Sequence, residues 1–189
     1  MWTAAMVFAA DPKSPDNYIV DFHTDVDGGV ISVNVTRAWA PLGSDRFYAL
    51  VKDSFFDKAA FFRVVPDFVV QFGIAGTPEE NTKWSATIVD DPVLQSNLAG
   101  TLVYATAGPD TRTTELFINY VDNTRLDQEG FAPFGQVIEK GLEVATAIHN
   151  PTPGNTDGVN QDDYLSKGNT WIEKKYPDIN FIVNATIRQ

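Results

Sequence analysis

Residues 61–73, Phe-Phe-Arg-Val-Val-Pro-Asp-Phe-Val-Val-Gln-Phe-Gly, are almost wholly aromatic or β-branched, and Pro66-Asp67 divides them. Side chains of this kind suit a pleated, half-buried surface. A proline cannot donate to a central ladder, so the pair forces a bend or bulge between two strand-like runs, 61–65 and 68–72. The first run carries one charge, Arg63. A guanidinium on an apolar surface is costly unless something uses it. Taken alone, Arg63 reads as a snorkelling or salt-bridged residue of an edge strand.

The same pattern extends to both sides. Tyr18 to His23 and Val30 to Val35 alternate apolar and polar residues around Asp27-Gly28-Gly29, the signature of a β-hairpin. Pro41 opens a helical segment in which Phe47, Leu50 and Val51 share a face, with Ser44 as the expected cap and Asp45 in the first turn. Residues 74–97 are polar and irregular. Strands resume over 100–106, 116–120 and 134–138, with a long loop from Ala107 to Glu115. Residues 142–148 and 171–176 read as short helices, and 181–187 as a last strand. Many short strands with two or three helices point to a mainly β domain. A closed barrel is attractive because closure removes exposed edges. Residues 18–189 are expected to form that domain, and residues 1–17 an N-terminal arm or the remnant of a trimmed signal.

Composition removes several classes of function. With 25 acidic against 14 basic side chains and a net charge of -11, no basic cluster is available for a phosphate backbone, so nucleic acid is not an expected partner. The absence of cysteine excludes disulfides, thiolate nucleophiles and cysteine-ligated metals. His23 and His149 lie far apart and outside any metal or triad motif. The Asn155–Asp163 stretch lacks the closing glutamate of a calcium loop, so no metal and no cofactor are expected. The first ten residues are apolar but too short to span a bilayer, and no later run reaches that length. The chain is therefore expected to be soluble without membrane insertion, in the cytoplasm or in an exported or lumenal compartment.

Three motifs then carry a family resemblance. The run from Phe61 to Gly73 is similar to the signature strand of the cyclophilins, the cyclosporin-type peptidyl-prolyl cis-trans isomerases. Ala105-Thr-Ala-Gly-Pro-Asp-Thr-Arg-Thr-Thr-Glu-Leu-Phe-Ile resembles that family's second motif. Leu126-Asp127 with Phe131-Ala-Pro-Phe-Gly-Gln-Val resembles the third. The resemblance spans about residues 18–148, and the tail from Gly168 looks like an extension of divergent members. It implies a closed eight-stranded antiparallel barrel capped by two or three helices. The implied activity is isomerisation of X–Pro bonds, in peptides and in unfolded or client proteins, by a monomer.

Carried over residue by residue, Arg63 matches the family's catalytic arginine and Gln71 the glutamine that positions it. Phe68, Val69, Phe117 and Leu126 match the lining of a proline pocket, and Phe131 stands where many members have histidine. Thr106, preceded by Ala105, replaces an asparagine whose backbone meets the peptide. Two departures bear on ligands. Arg125 stands where cyclosporin-sensitive members carry tryptophan, which implies weak or no cyclosporin binding. Glu115 replaces a common glutamine, placing a carboxylate beside the groove and favouring basic residues near the substrate proline. The rival reading is a non-catalytic scaffold or chaperone that holds proline-containing segments; the retained set of Arg63, Gln71 and Phe117 favours the enzyme.

Overall fold

The computed structural model describes residues 11–188. The segment read as an apolar arm or signal remnant, residues 1–10, lies outside them. Strands β1 (Asn17–Thr24) and β2 (Val30–Thr36) form the expected hairpin, followed by helix α1 (Pro41–Lys52) and a second hairpin of β3 (Arg63–Val65) and β4 (Val69–Phe72). Helix α2 (Pro78–Lys83), β5 (Thr101–Tyr104), β6 (Leu116–Asn119), β7 (Pro133–Ile138) and α3 (Gly141–Thr146) come next. The chain ends with α4 (Gln161–Lys167), α5 (Asn169–Lys175) and β8 (Ile182–Ile187).

All eight strands join one antiparallel sheet in the order β3-β4-β6-β5-β7-β2-β1-β8. The expectation of a closed barrel needs correction, because no ladder joins the two outer strands. Residues 58–61, just before β3, meet the start of β8 through a single bridge from Ala60 to Phe181, the residue before β8, flanked by hydrogen bonds from Lys58 N to Ile182 O and from Ile182 N to Ala59 O. β3 has only three residues and pairs with β4 but not with β8, so the sheet curls round without sealing.

Alternation fills the interior. Tyr18, Val20 and Phe22 on β1 and Ile31, Val33 and Val35 on β2 point inward. Phe22 packs edge-on against Phe72 at 5.3 Å between ring centroids, and Phe47 of α1 meets Phe134 at 5.2 Å. The barrel is thus plugged by aromatic rings, with α1 stopping one end through Phe47, Leu50 and Val51.

Two helical expectations change. Ser44 is not the cap of α1 but lies inside it, where its hydroxyl meets Ser14 Oγ at 2.9 Å. The first free N–H groups of that helix, Leu42 and Gly43, donate instead to the carboxylate of Asp91, at 3.0 and 2.8 Å, from a loop far along the chain. Five α-helices are present among the described residues rather than two or three: α2 lies in the stretch read as irregular, and α4 is capped by Asn160, whose side chain accepts from Asp163 N. Residues 11–16, part of the stretch expected to be an N-terminal arm or signal remnant, are tied down, with Ser14 buried and Asp11 paired to Arg46 at 2.7 Å. Among the described residues no helix is long and apolar enough to cross a membrane.

Candidate active site

Residues directly opposite one another in an antiparallel pair project to the same side of the sheet. Arg63 opposes Gln71, Gln71 opposes Phe117, and Phe117 opposes Val103. One row of four side chains therefore crosses β3, β4, β6 and β5 on the outer face. Their neighbours Val64, Val70, Leu116 and Ile118, one position out of phase, face the barrel core. The outer row gathers a second apolar cluster, with Val69, Val103, Phe117 and Leu126 buried and Phe68, Ala105 and Phe131 packed over them. A cleft of about 250 Å³ opens on this cluster, and Arg63 and Gln71 stand on its wall.

The hairpin explains why Phe68 reaches the cleft. Pro66 and Asp67 make a two-residue turn closed by Phe68 N donating to Val65 O, with Asp67 at φ 57°. The break expected at Pro66 is thus a tight turn that hands the chain from β3 to β4. Phe68 ends up between two guanidinium groups, Arg63 at 5.9 Å and Arg125 at 4.9 Å from its ring centroid. Across the cleft, Leu126 O accepts from both Glu129 N and Phe131 N, a turn that includes Gly130 at φ 89°. That turn swings Phe131 back to meet Phe117 edge-on at 5.6 Å.

Arg63 is held by directed bonds. Its Nε donates to the carbonyl of Thr156 at 2.6 Å, and Nη1 donates to Gln71 Oε1 at 3.1 Å. Gln71 in turn donates through Nε2 to Glu115 Oε2 at 2.8 Å. An ionised carboxylate only accepts, so Glu115 fixes the Gln71 amide with its oxygen toward Arg63. Burial lowers the guanidinium's pKa, opposed by the nearby charge of Asp157. Burial also raises the Glu115 carboxyl, and the Gln71 hydrogen bond only partly opposes that shift. Glu115 borders a second, more polar cleft of about 270 Å³, reached by Thr111, Thr113 and Gln161 and sharing Gln71, Ala105 and Thr106 with the first. The Thr106 hydroxyl is engaged in its own loop, accepting from Gly108 N and meeting Thr111 Oγ1 at 2.8 Å.

All ten residues singled out in the sequence therefore gather at two adjoining clefts: Arg63, Phe68, Val69, Gln71, Ala105, Thr106, Phe117, Leu126 and Phe131 at the first, and Glu115 at the second. Sequence reasoning missed the polar frame behind them. Asn123 Nδ2 donates to Phe68 O at 3.0 Å and Asn97 Nδ2 to Phe131 O at 2.9 Å, so the two sides of the cleft hang from one frame. Asn119 links them, donating to Asn97 Oδ1 at 3.1 Å and accepting from Asn123 Nδ2 at 2.8 Å. The available signal was Asn119 closing the otherwise apolar Leu-Phe-Ile run. The Arg125–Glu129 pair, 3.2 Å apart, also lines the cleft rim.

The family model for cyclophilin type peptidyl-prolyl cis-trans isomerase/CLD matches residues 19–169. The chain belongs to this family. A peptidyl-prolyl cis-trans isomerase of Acinetobacter baylyi is 35% identical over 156 residues, covering 77% of this chain and 78% of the relative. The human peptidyl-prolyl cis-trans isomerase-like 3 is 33% identical over 128 residues, covering 66% and 77%. In fold, a crystal structure of a cyclophilin type isomerase of Cryptosporidium parvum aligns with TM-score 0.67 and 17% identity over 92% of this chain and 98% of that one. In this cyclophilin, Phe62, beside Arg63, points away from the clefts and is buried with Tyr164, Val159 and Ile172 of the C-terminal segment.

Proposed function

We propose that this cyclophilin accelerates rotation about X–Pro bonds of peptides and unfolded segments, with Arg63 as the catalytic donor and the cleft of Phe68, Val69, Phe117, Leu126 and Phe131 as the seat of the proline ring. The observation that carries this reading is the pairing of a hydrogen-bonded guanidinium with a cleft of about 250 Å³ that opens on an apolar cluster. Amide resonance sets a barrier of ~18–20 kcal/mol, and uncatalysed exchange takes tens to hundreds of seconds. Reaching about a millisecond asks for ~7 kcal/mol. As the bond twists, the prolyl nitrogen regains its lone pair, and an N–H of Arg63 donates to it only in that state. This is differential binding of the transition state.

One charge-assisted hydrogen bond has a net worth of about 1.5–3 kcal/mol, so Arg63 cannot supply the whole acceleration. The apolar cleft contributes the rest by fixing the ring while the acyl side turns and by withdrawing water from the amide, whose polar resonance form is then less favoured. Ala105 and Thr106 offer backbone groups to the peptide. Glu115 gives the second cleft a carboxylate suited to a basic side chain near the proline. The reading also has Arg125 disfavour cyclosporin, because its guanidinium and Glu129 occupy the rim where a flat apolar surface is required.

The deciding experiment is exchange spectroscopy on an X–Pro tetrapeptide with wild type, Arg63→Ala and Arg63→Lys. Wild type is expected to accelerate exchange. Arg63→Ala should lower kcat/KM by about 10- to 100-fold, the worth of one charge-assisted hydrogen bond. A wild type no faster than buffer would leave the scaffold reading standing instead.

A further inference from the structure

We propose that the C-terminal segment aims Arg63, with the 150–158 loop as the clamp and Asn155 and Gly158 as positioning residues. The inference rests on the isomerase reading above. A guanidinium carries five N–H donors in a planar fork, and an arginine stem has many rotamers. Here Nε is bonded to Thr156 O of the loop and Nη1 to Gln71 Oε1 of β4. Two bonds to acceptors on different elements fix the plane of the fork and leave three N–H groups for the substrate. Gln71 alone would fix one direction and leave the plane free to turn about it.

The loop can lie this close only because residue 158 is glycine. At φ 79°, a Cβ on Gly158 would stand 2.6 Å from Arg63 Cβ and 2.8 Å from Phe62 O. The next residue, Val159, donates its N–H to Phe62 O at 3.0 Å, so the loop runs along the chain that enters β3. Within the loop, Asn155 accepts from Asp157 N at 3.0 Å and donates to Gly158 O at 3.1 Å, holding the turn that presents the Thr156 carbonyl. Behind the loop, α4 and α5 grip the same stretch from its other side. Phe62 is buried with Tyr164 and Ile172, and the Tyr164 hydroxyl accepts from Ala60 N at 3.0 Å. Residues 60–63 are therefore fixed by the C-terminal segment at the backbone, the buried side chain and the guanidinium. Asp157 adds a negative charge near Arg63.

The test compares the full chain with Gly158→Ala and Asn155→Ala, the second variant serving if the first does not fold. It measures kcat and KM on an uncharged X–Pro tetrapeptide, together with the Arg63 Nε–H resonance and its exchange with solvent. The expected result is a fall in kcat of about tenfold for Gly158→Ala and roughly threefold for Asn155→Ala, with KM within about twofold. The protected Nε–H of wild type should exchange rapidly in both. Folded variants with wild-type kcat, or with reduced kcat but an unchanged Nε–H, overturn the clamp alone. An inactive wild type overturns the isomerase reading and the clamp with it.

Discussion

At Glu115, burial works against charge, and the direction of the resulting pH dependence follows. An acid whose folded pKa lies above its ordinary 4.5 binds its proton more tightly in the folded state. Its contribution to stability is therefore complete below about pH 4.5 and is lost as pH rises through the raised folded value. Above that ordinary value, keeping Glu115 in its buried place costs stability, whether the carboxylate stays ionised or takes up a proton on folding. Glu115→Gln should raise the melting temperature at pH 7, and the gain should vanish at pH 4. The substitution keeps an oxygen that can accept from Gln71 Nε2, so the relay to Arg63 is preserved. A melting series across pH 4–8 checks this, and an equal shift at every pH would place the effect elsewhere. Arg63 shows the converse logic: the sequence displayed its cost, whereas its Thr156 partner lies 93 positions away and no local pattern could announce it.

Among the elements, the strands were legible because alternation is local. The β1–β2 hairpin stands where Asp27-Gly28-Gly29 placed its turn, and the bend or bulge read at Pro66-Asp67 is the turn of the β3–β4 hairpin. The ten side chains that the motifs singled out also lie together, at two adjoining clefts. Helix α2 was obscured because its residues, Pro78-Glu-Glu-Asn-Thr-Lys, bury none of their side chains and so carry no apolar period. The cap of α1 was missed because its acceptor, Asp91, is brought in by tertiary structure and not by the adjoining sequence. The asparagine frame escaped for a related reason: Asn97, Asn119 and Asn123 each look like loop or strand-end residues until folding joins them. Asn119 is fully buried, and three side-chain bonds join it to Asn97, Thr101 and Asn123. Asn119→Ala should therefore cost about 1–3 kcal/mol, because partners are left buried and unpaired. Urea denaturation measures the loss. The same variant should weaken peptide binding, since Phe68 and Phe131 both hang from that frame; unaltered peptide affinity at reduced stability would separate the frame from the cleft.

On the scale of the molecule, the sheet stays open as a ladder and is completed by the C-terminal segment, which carries β8 to residues 58–61 and packs against Phe62. The same chain carries a net charge of -11, and a field of that sign acts on any charged peptide before contact. Two sources of preference for basic substrates can then be separated by range. Attraction by the whole surface is screened over about 10 Å at 0.1 M salt, whereas a side chain beside Glu115 interacts inside that distance in a partly desolvated cleft. Peptides with Lys or Glu before the X–Pro pair should differ in kcat/KM, the Lys peptide being favoured. Raising salt from about 0.02 M to 0.5 M should shrink that ratio by roughly threefold as the long-range part is screened. Glu115→Gln changes the net charge by one, a small fraction of the whole, so the salt-sensitive part should persist in it while the residual preference at high salt disappears. A high-salt preference that survives Glu115→Gln would move the recognition of basic residues from the second cleft to another acidic part of the surface.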